Sequence, residues 1–491
     1  MTERRYPIYL ASSWRRLLPA LLGFALLMSC DSGSTRTEPE PVTPPDQPEN
    51  PDPAVVSTDT VYLSPSQQAN AVFFLPSPPD IDDADFIDDE VQWAWGMSVR
   101  NTDRGSVAML RMGRTPASVQ AMIEGSLKLE TTLSETTTPA LWRLMKRAYW
   151  TGFQSAAKIK QKYMRQRPFA MMDEEPWYAA DRNDATGSYA SASTAGGWAT
   201  ALAFAEMWPP LQNAILRVGF LYGEDRVISG SNFQSDVNGG YLCGAVAMAL
   251  AHNSPLLKAD IDAARKEYKR LMGLSDSFDP TTGLEEPAGV YFLNPPVTTG
   301  SDRYEADLAR YEHAKTLRNG NRGTQAKQDA DSHTDYMTKI FGYTLYLYNA
   351  SEETTPNIYA LIDLIREHNL VVANDLKEIY FRLRPFAELG ESTPVPDDEY
   401  MSASSSYASG HASFAWASAL ALAEVVPEHC EVILKRAFEY GASRQIIGYH
   451  WASDIEAGRL LACALIAYLH NDRQFCELIQ KARSDYQNTI N

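Results

Sequence analysis

At 491 residues, with 44% hydrophobic and 22% charged side chains, the chain has a soluble globular composition and the length of two domains of roughly 200 residues, each able to bury a core. That balance excludes a polytopic membrane protein, which needs several apolar runs of about 20 residues. The net charge of −18 excludes nucleic acid and an anionic membrane face as partners, since both would repel the chain, so any phosphate-binding power has to be local.

The first element in the chain is a short apolar run at 17–28, behind Arg4, Arg5, Arg15 and Arg16, the layout of a secretory signal. It closes in Leu27-Met28-Ser29-Cys30, which resembles a bacterial lipobox, whose cysteine is lipidated and becomes the mature N-terminus. Residues 1–30 therefore read as a lipoprotein signal peptide and Cys30 as the membrane attachment; a simple cleaved signal with Cys30 incidental is the alternative. Residues 31–65, rich in proline and acids, have too few apolar side chains to fold and read as a disordered tether. The expected location is exported and lipid-anchored in the bacterial cell envelope, at the periplasmic or outer-membrane face. Cys243, Cys430, Cys463 and Cys476 lack metal-ligand spacing, and buried thiols are expected although export permits a disulfide.

Beyond the tether the chain repeats itself. FFLPSPP at 73–79 returns as FLNPP at 292–296, and Thr138-Pro139 returns as Thr355-Pro356. Arg226 and Arg444 stand 218 residues apart, as do Asp236 and Asp454, whereas Arg167 and Arg384 are 217 apart. One fold used twice accounts for this, with 66–274 as the first copy, the turn-rich and acidic 275–290 as linker, and 291–491 as the second copy. Alanine- and leucine-rich stretches such as ASFAWASALALAEVV at 412–426 predict helices, and convincing strand alternation is absent. The expected fold is all-α, two tandem helical bundles, whose sites form from inward-facing side chains of several helices.

The second copy carries the chemistry. Lys377 and Arg384, seven apart, are expected on one helical face that Pro385 limits, two cations aimed at one oxyanion. Ser409-Gly410-His411 opens the alanine-rich helix, where first-turn amides face an anion and Gly410 lets it come close. Ser443-Arg444 adds a guanidinium suited to phosphate. His450 and Asp454, four apart, are expected on one helix with the carboxylate fixing the imidazole tautomer. Each piece alone is ordinary, a charged face or a core histidine; the ordered set is not. The first copy keeps Lys160, Arg167, Ser191, Arg226 and Asp236, but Ser193 stands for His411 and Asn232 for His450, and Asp225 precedes Arg226 where Ser443 precedes Arg444. That copy is expected to be inert, either binding phosphate without turnover or serving as a scaffold packed on its sibling as an intrachain pseudo-dimer, with Arg167 and Arg226 satisfied by internal carboxylates.

The blocks YFRLRPFAE, SSSYASGHASFAWASALALAE and ASRQIIGYHWASDIEAGR resemble those of the type 2 phosphatidic acid phosphatase and haloperoxidase superfamily, and within it the secreted bacterial class A non-specific acid phosphatases. YMRQRPFA, GSYASASTAGGWATALAFAE and EDRVISGSNFQSDVNGG in the first copy resemble them too, with Ala190 and Ala408 where the family usually has proline. The resemblance implies a helical acid phosphatase acting on phosphomonoesters. It implies His450 as nucleophile, Asp454 as its supporting carboxylate, His411 as general acid, and Lys377, Arg384, Ser409, Gly410 and Arg444 as the phosphate cage. No metal or cofactor is implied; vanadate is expected as an inhibitor. The alternatives are a lipid or lipid A phosphatase at the envelope, a vanadium-dependent haloperoxidase with vanadate as cofactor, and a non-catalytic ligand-capture lipoprotein. The acidic stretch 388–400 is expected to border the leaving group.

Overall fold

The computed structural model describes residues 60–490, so Cys30, the expected signal peptide at 1–30 and most of the expected tether lie outside the described residues, while the tether's expected last residues are ordered instead, with Val61, Tyr62 and Leu63 buried and the Tyr62 amide donating to Thr151 at 2.9 Å. Within them the only regular structure is helical. The first copy comprises α1 (Ala84–Val99), α2 (Asp103–Leu110), α3 (Ala117–Leu127), α4 (Pro139–Ser155), α5 (Ala157–Tyr163), α6 (Pro168–Met171), α7 (Ala192–Met207), α8 (Gln212–Ile228), α9 (Gln234–Ala251) and α10 (Pro255–Leu271). The second comprises α11 (Gly289–Phe292), α12 (Asp302–Lys315), α13 (Asn321–Gln328), α14 (Thr334–Thr344), α15 (Pro356–Ile379), α16 (Pro385–Leu389), α17 (Gly410–Val425), α18 (Cys430–Ile446), α19 (Ala452–Leu469) and α20 (Arg473–Ile490). From α1/α12 to α10/α20 the first residues of equivalent helices are 217 or 218 apart, and α15 takes the place of α4 and α5 together.

Local rules account for the helix ends. Proline begins α4, α10 and α15, where its fixed φ suits the first turn and its missing N–H costs nothing. Ser191 caps α7 and Ser409 caps α17, each side chain accepting from a backbone amide three residues on. In α20, Phe475, Leu478, Ile479, Ala482 and Tyr486 form a single apolar stripe that buries against α15, leaving a charged outer face.

The two copies do not keep separate cores. Every residue of α7 is buried, and α17 is nearly so. A helix apolar all round has to be covered all round; α7 is covered by α4, α8 and α9 of its own copy and by α19 of the other, and α9 also packs on α17. One contiguous core therefore runs through Leu141, Trp198, Phe204 and Leu242 into Trp416, Leu420 and Leu461. Polar links cross the same boundary: the Arg265 guanidinium donates to Asn471 Oδ1 at 2.9 Å, Asn253 Nδ2 to the Glu424 carbonyl at 3.1 Å, and Arg310 to Asp85 at 2.6 Å. The 275–290 segment carries turns up to α11. Cys243, Cys430 and Cys463 are buried free thiols, and Cys476 is an exposed one. No helix among the described residues is long and apolar enough to cross a membrane.

Candidate active site

Lys377 ends α15, but Arg384 is not two turns further along the same helix. The chain leaves α15 in extended form at Tyr380, and Arg384 caps the next helix, α16. An extended strand alternates its side chains, so Arg382 and Arg384 turn inward and are buried while Phe381 and Leu383 stay exposed. Lys377 and Arg384 converge because the chain straightens before Pro385.

Arg384 is fully buried, and its guanidinium ties the site together. It donates to the carbonyls of Met401 at 3.0 Å, Tyr449 at 2.9 Å and Ser405 at 3.2 Å, and one Nη lies 3.3 Å from His450 Nε2. The contact to Met401 anchors the chain that follows the 388–400 segment. Arg444, also fully buried, lies in the last turn of α18, and its carbonyl accepts from the amides of Tyr449 and His450 at 3.0 and 3.3 Å. Gly448 in that turn has φ +87°, a conformation only glycine adopts freely, and it delivers His450 to the mouth of α19.

His450 is therefore on a turn rather than on a helix, and this changes the partner of its ring. Nδ1 donates to the Ser406 carbonyl at 2.7 Å, whereas the Asp454 carboxylate is 3.8 Å away. With the proton held at Nδ1, the lone pair sits on Nε2, the nitrogen that faces Arg384. The expectation that Asp454 fixes the tautomer is corrected: Asp454 accepts from the Trp451 amide at 2.9 Å as part of the α19 cap and from Arg382 at 2.6 Å. Arg382 in turn donates to Asp307 of α12 at 2.8 Å. Asp454 thus positions the turn that carries His450.

Ser409 Oγ accepts from the Ala412 amide at 3.3 Å, and the Ser409 N–H donates to the Asp454 carbonyl at 3.0 Å, so that amide is not available to a ligand. The anion-facing donors here are the first-turn amides of Gly410 and His411, which helix geometry leaves without intrahelical partners. A Cβ on Gly458 of α19 would come within 2.5 Å of the Ser409 carbonyl, so glycine there lets α19 pack under this turn. A Cβ on Gly410 would project to 3.7 Å from Lys377 Nζ, into the space between cation and helix mouth. His411 is held by a contact of Nε2 with the Ala330 carbonyl at 3.1 Å and by a stack on Tyr440. Ser443 donates to Asp329 at 2.6 Å and accepts from Arg322 at 2.8 Å, which pins the end of α18.

The electrostatics follow from burial and crowding of like charge. Burial first, then Arg384, Arg444 and Lys377, hold the His450 imidazole well below the usual histidine range. Burial, then Arg444 and His450, do the same to His411. Lys377 is lowered to about 8 by burial and by the two arginines. A site with this excess of positive charge over a dry floor is built for a multiply charged anion.

The first copy keeps the frame and fills it. Asn232 Nδ2 donates to the Ser188 carbonyl at 2.8 Å, in the manner of His450 and Ser406, and its Oδ1 accepts from Ser191 at 3.3 Å. Asp236 repeats Asp454, bonded by Arg165 at 2.8 Å, and Arg165 also reaches Asp89 at 2.9 Å. Arg167 donates to the Asp184 carboxylate at 2.5 Å and the Ser231 carbonyl at 2.8 Å, and Arg114 pairs with both Asp181 and Asp184. Although burial pulls it upward, Arg167 and Arg114 hold the Asp184 carboxyl well below the usual carboxylate range. Lys160 donates to the Gly187 carbonyl, and burial lowers its ammonium to about 7. The two Nη groups of Arg226 donate to the carbonyls of Arg111 and Met112, not to carboxylates as expected. Asp225 pairs with Arg104 and Arg111 and so places no charge at an anion site. Lys160, Arg167, Ser191, Ser193, Arg226 and Asn232 surround a cavity of about 30 Å³.

Sequence reasoning passed over Arg382, Asp307 and the Ser406 carbonyl. Arg382 and Arg165 were visible as the arginine two residues before the Arg-Pro pair in both copies; a backbone acceptor leaves no side-chain signal.

Residues 359–477 match the PAP2 superfamily family model. The chain is similar to a non-specific acid phosphatase of Providencia stuartii, 39% identical over 200 residues, covering 40% of this chain and 79% of that protein. It is similar to an acid phosphatase of Zymomonas mobilis, 31% identical over 224 residues, 44% of this chain and 84% of that one. A non-specific acid phosphatase of Salmonella typhimurium is 29% identical over 202 residues, 41% of this chain and 81% of that one.

Proposed function

Because the chain belongs to the PAP2 superfamily and is kin to its bacterial non-specific acid phosphatases, we propose that it hydrolyses phosphomonoesters at the second copy through a phosphohistidine, without a metal. The observation that carries this is His450: Nδ1 donates to the Ser406 carbonyl, and Nε2 faces a cage of Lys377, Arg384 and Arg444. Nε2 attacks phosphorus, the ester P–O bond breaks, and His411, in its protonated form, gives its proton to the leaving alcohol. Water, deprotonated by the now neutral His411, then attacks phosphorus, and the P–N bond breaks, releasing phosphate and restoring Nε2 and the His411 proton. The three cations and the amides of Gly410 and His411 take the charge that gathers on the non-bridging oxygens.

The first copy is a scaffold in this reading, paired with the second as an intrachain pseudo-dimer. Asp184 against Arg167 and Arg114 occupies the charge an anion would need. A lipid anchor at Cys30 and an envelope location complete the proposal; vanadate is expected to inhibit as a phosphate mimic. Acid-sensitive label retained on the protein after rapid quench with a radiolabelled phosphomonoester, and absent from His450→Ala, tests the intermediate. Turnover with no label on His450 under burst conditions would contradict it.

A further inference from the structure

Where the copies meet, Glu206 and His252 of the first face Glu424 and His470 of the second, each residue 218 positions from its counterpart. The histidines stand at the C-terminal ends of α9 and α19, and their rings stack face to face, centroids 3.4 Å apart and tilted by 9°. His252 Nε2 lies 3.2 Å from Glu206 Oε2, and His470 Nε2 lies 3.0 Å from Glu424 Oε2. One ligand atom from each of Glu206, His252 and His470 lies within 4.8 Å of the others. A cavity of about 20 Å³ opens beside them, bordered also by Cys463 and by apolar side chains such as Leu202 and Leu420. No step of phosphate transfer uses this cluster.

We propose that this interface holds one borderline first-row divalent cation of the Zn²⁺ type, bound by Glu206 and His252 of one copy and His470 of the other. Metal–nitrogen and metal–oxygen bonds of about 2.0–2.2 Å in a tetrahedron set ligand atoms about 3.3–3.5 Å apart, close to the nitrogen–oxygen separations found here. The cavity has space for a single ion or water. His470 Nδ1 donates to the Ile466 carbonyl at 2.8 Å, the backbone support usual for a ligating histidine, and Nε2, at 3.0 Å from the Glu424 carboxylate, is the nitrogen the ion would take by displacing the proton shared with that carboxylate. Parallel rings hold their lone pairs side by side, so one ring turns out of the stack toward the cavity when the ion enters. The ion would clip the two copies together, and it is separate from the metal-free phosphate chemistry.

Chelator-stripped full chain is titrated with Zn²⁺ by calorimetry and with Co²⁺ by visible absorption, alongside His252→Gln and His470→Gln. The expected result is one saturable site per chain, tetrahedral Co²⁺ bands, a higher Tm with Zn²⁺, and loss of all three in either variant. Metal removal leaves phosphomonoester turnover unchanged. No saturable Zn²⁺ binding by the native chain, Co²⁺ bands that are octahedral only, or binding kept by both variants would overturn the site and leave two hydrogen-bonded His–Glu pairs. The native Co²⁺ spectrum decides the matter even if the variants do not fold.

Discussion

His450 and Asn232 occupy equivalent turns and make the same bond, to a serine carbonyl at 2.7 and 2.8 Å, so their difference isolates what an imidazole adds. The ring presents a second nitrogen with a lone pair; the amide presents an oxygen that accepts from Ser191. His450→Asn is therefore expected to keep the native Tm and lose turnover, read by thermal melting beside a rate assay. His411 has a different signature. As the acid it matters most when the leaving alcohol is poor, so His411→Ala should cost about 10²–10⁴-fold with an alkyl phosphate and far less with para-nitrophenyl phosphate. Equal losses on both substrates would remove it from that role. Burial and the cations depress both imidazoles, which fixes the sign of the pH dependence. His450 stays a free base in acid, while the protonated fraction of His411 falls as pH rises, with a bound phosphate dianion partly restoring it. Turnover should peak below neutrality and decline above it; a rate climbing through neutral pH would contradict the assignment. Lys377, Arg384, Arg444 and the two histidines were legible because charged side chains at fixed gaps identify an oxyanion site. The support of His450 was not, because it is a carbonyl, and the four-residue gap to Asp454 suggested a helix where there is a turn and a cap.

At the scale of the element, the second copy's site hangs on three pieces brought together by one buried ion-pair network. Arg382 of the extended segment bonds Asp454 at the start of α19 and Asp307 of α12, and Ser453 donates to Asp307 as well. Arg165, Asp236, Asp89 and Ser235 repeat this in the first copy, which lacks both site histidines. Its persistence there marks it as architecture. Removing one member strands a buried charge, so Arg382→Met should cost about 3–5 kcal/mol of stability, visible as a lower Tm, with any residual activity following the folded fraction. Helices α7, α9, α17 and α19 were readable from their small apolar residues. The extended run from Tyr380 to Arg384 reads as helix in the sequence because Arg and Leu there favour helix, and only Pro385 signals the break.

At the scale of the whole molecule, the repeat was plain in the sequence, but the shared core was not. Composition shows that α7 and α17 are apolar on every face; it does not show that the covering face comes from the other copy. The same contact explains how a copy without the two site histidines stays in the chain: it covers apolar surface that would otherwise face water. Arg226, bonded to the carbonyls of Arg111 and Met112, then belongs to folding rather than turnover. Inorganic phosphate titrated into His450→Asn is expected to show no binding attributable to Lys160 and Arg167, and a second saturable site lost in Arg167→Ala would contradict the scaffold reading. The most direct measurement is hydrolysis of para-nitrophenyl phosphate by the chain lacking residues 1–30, beside His450→Ala and Arg226→Ala. Activity abolished by the first change and retained by the folded second is the predicted result. Turnover surviving His450→Ala, or lost in a folded Arg226→Ala, would contradict a phosphatase run by the second copy alone.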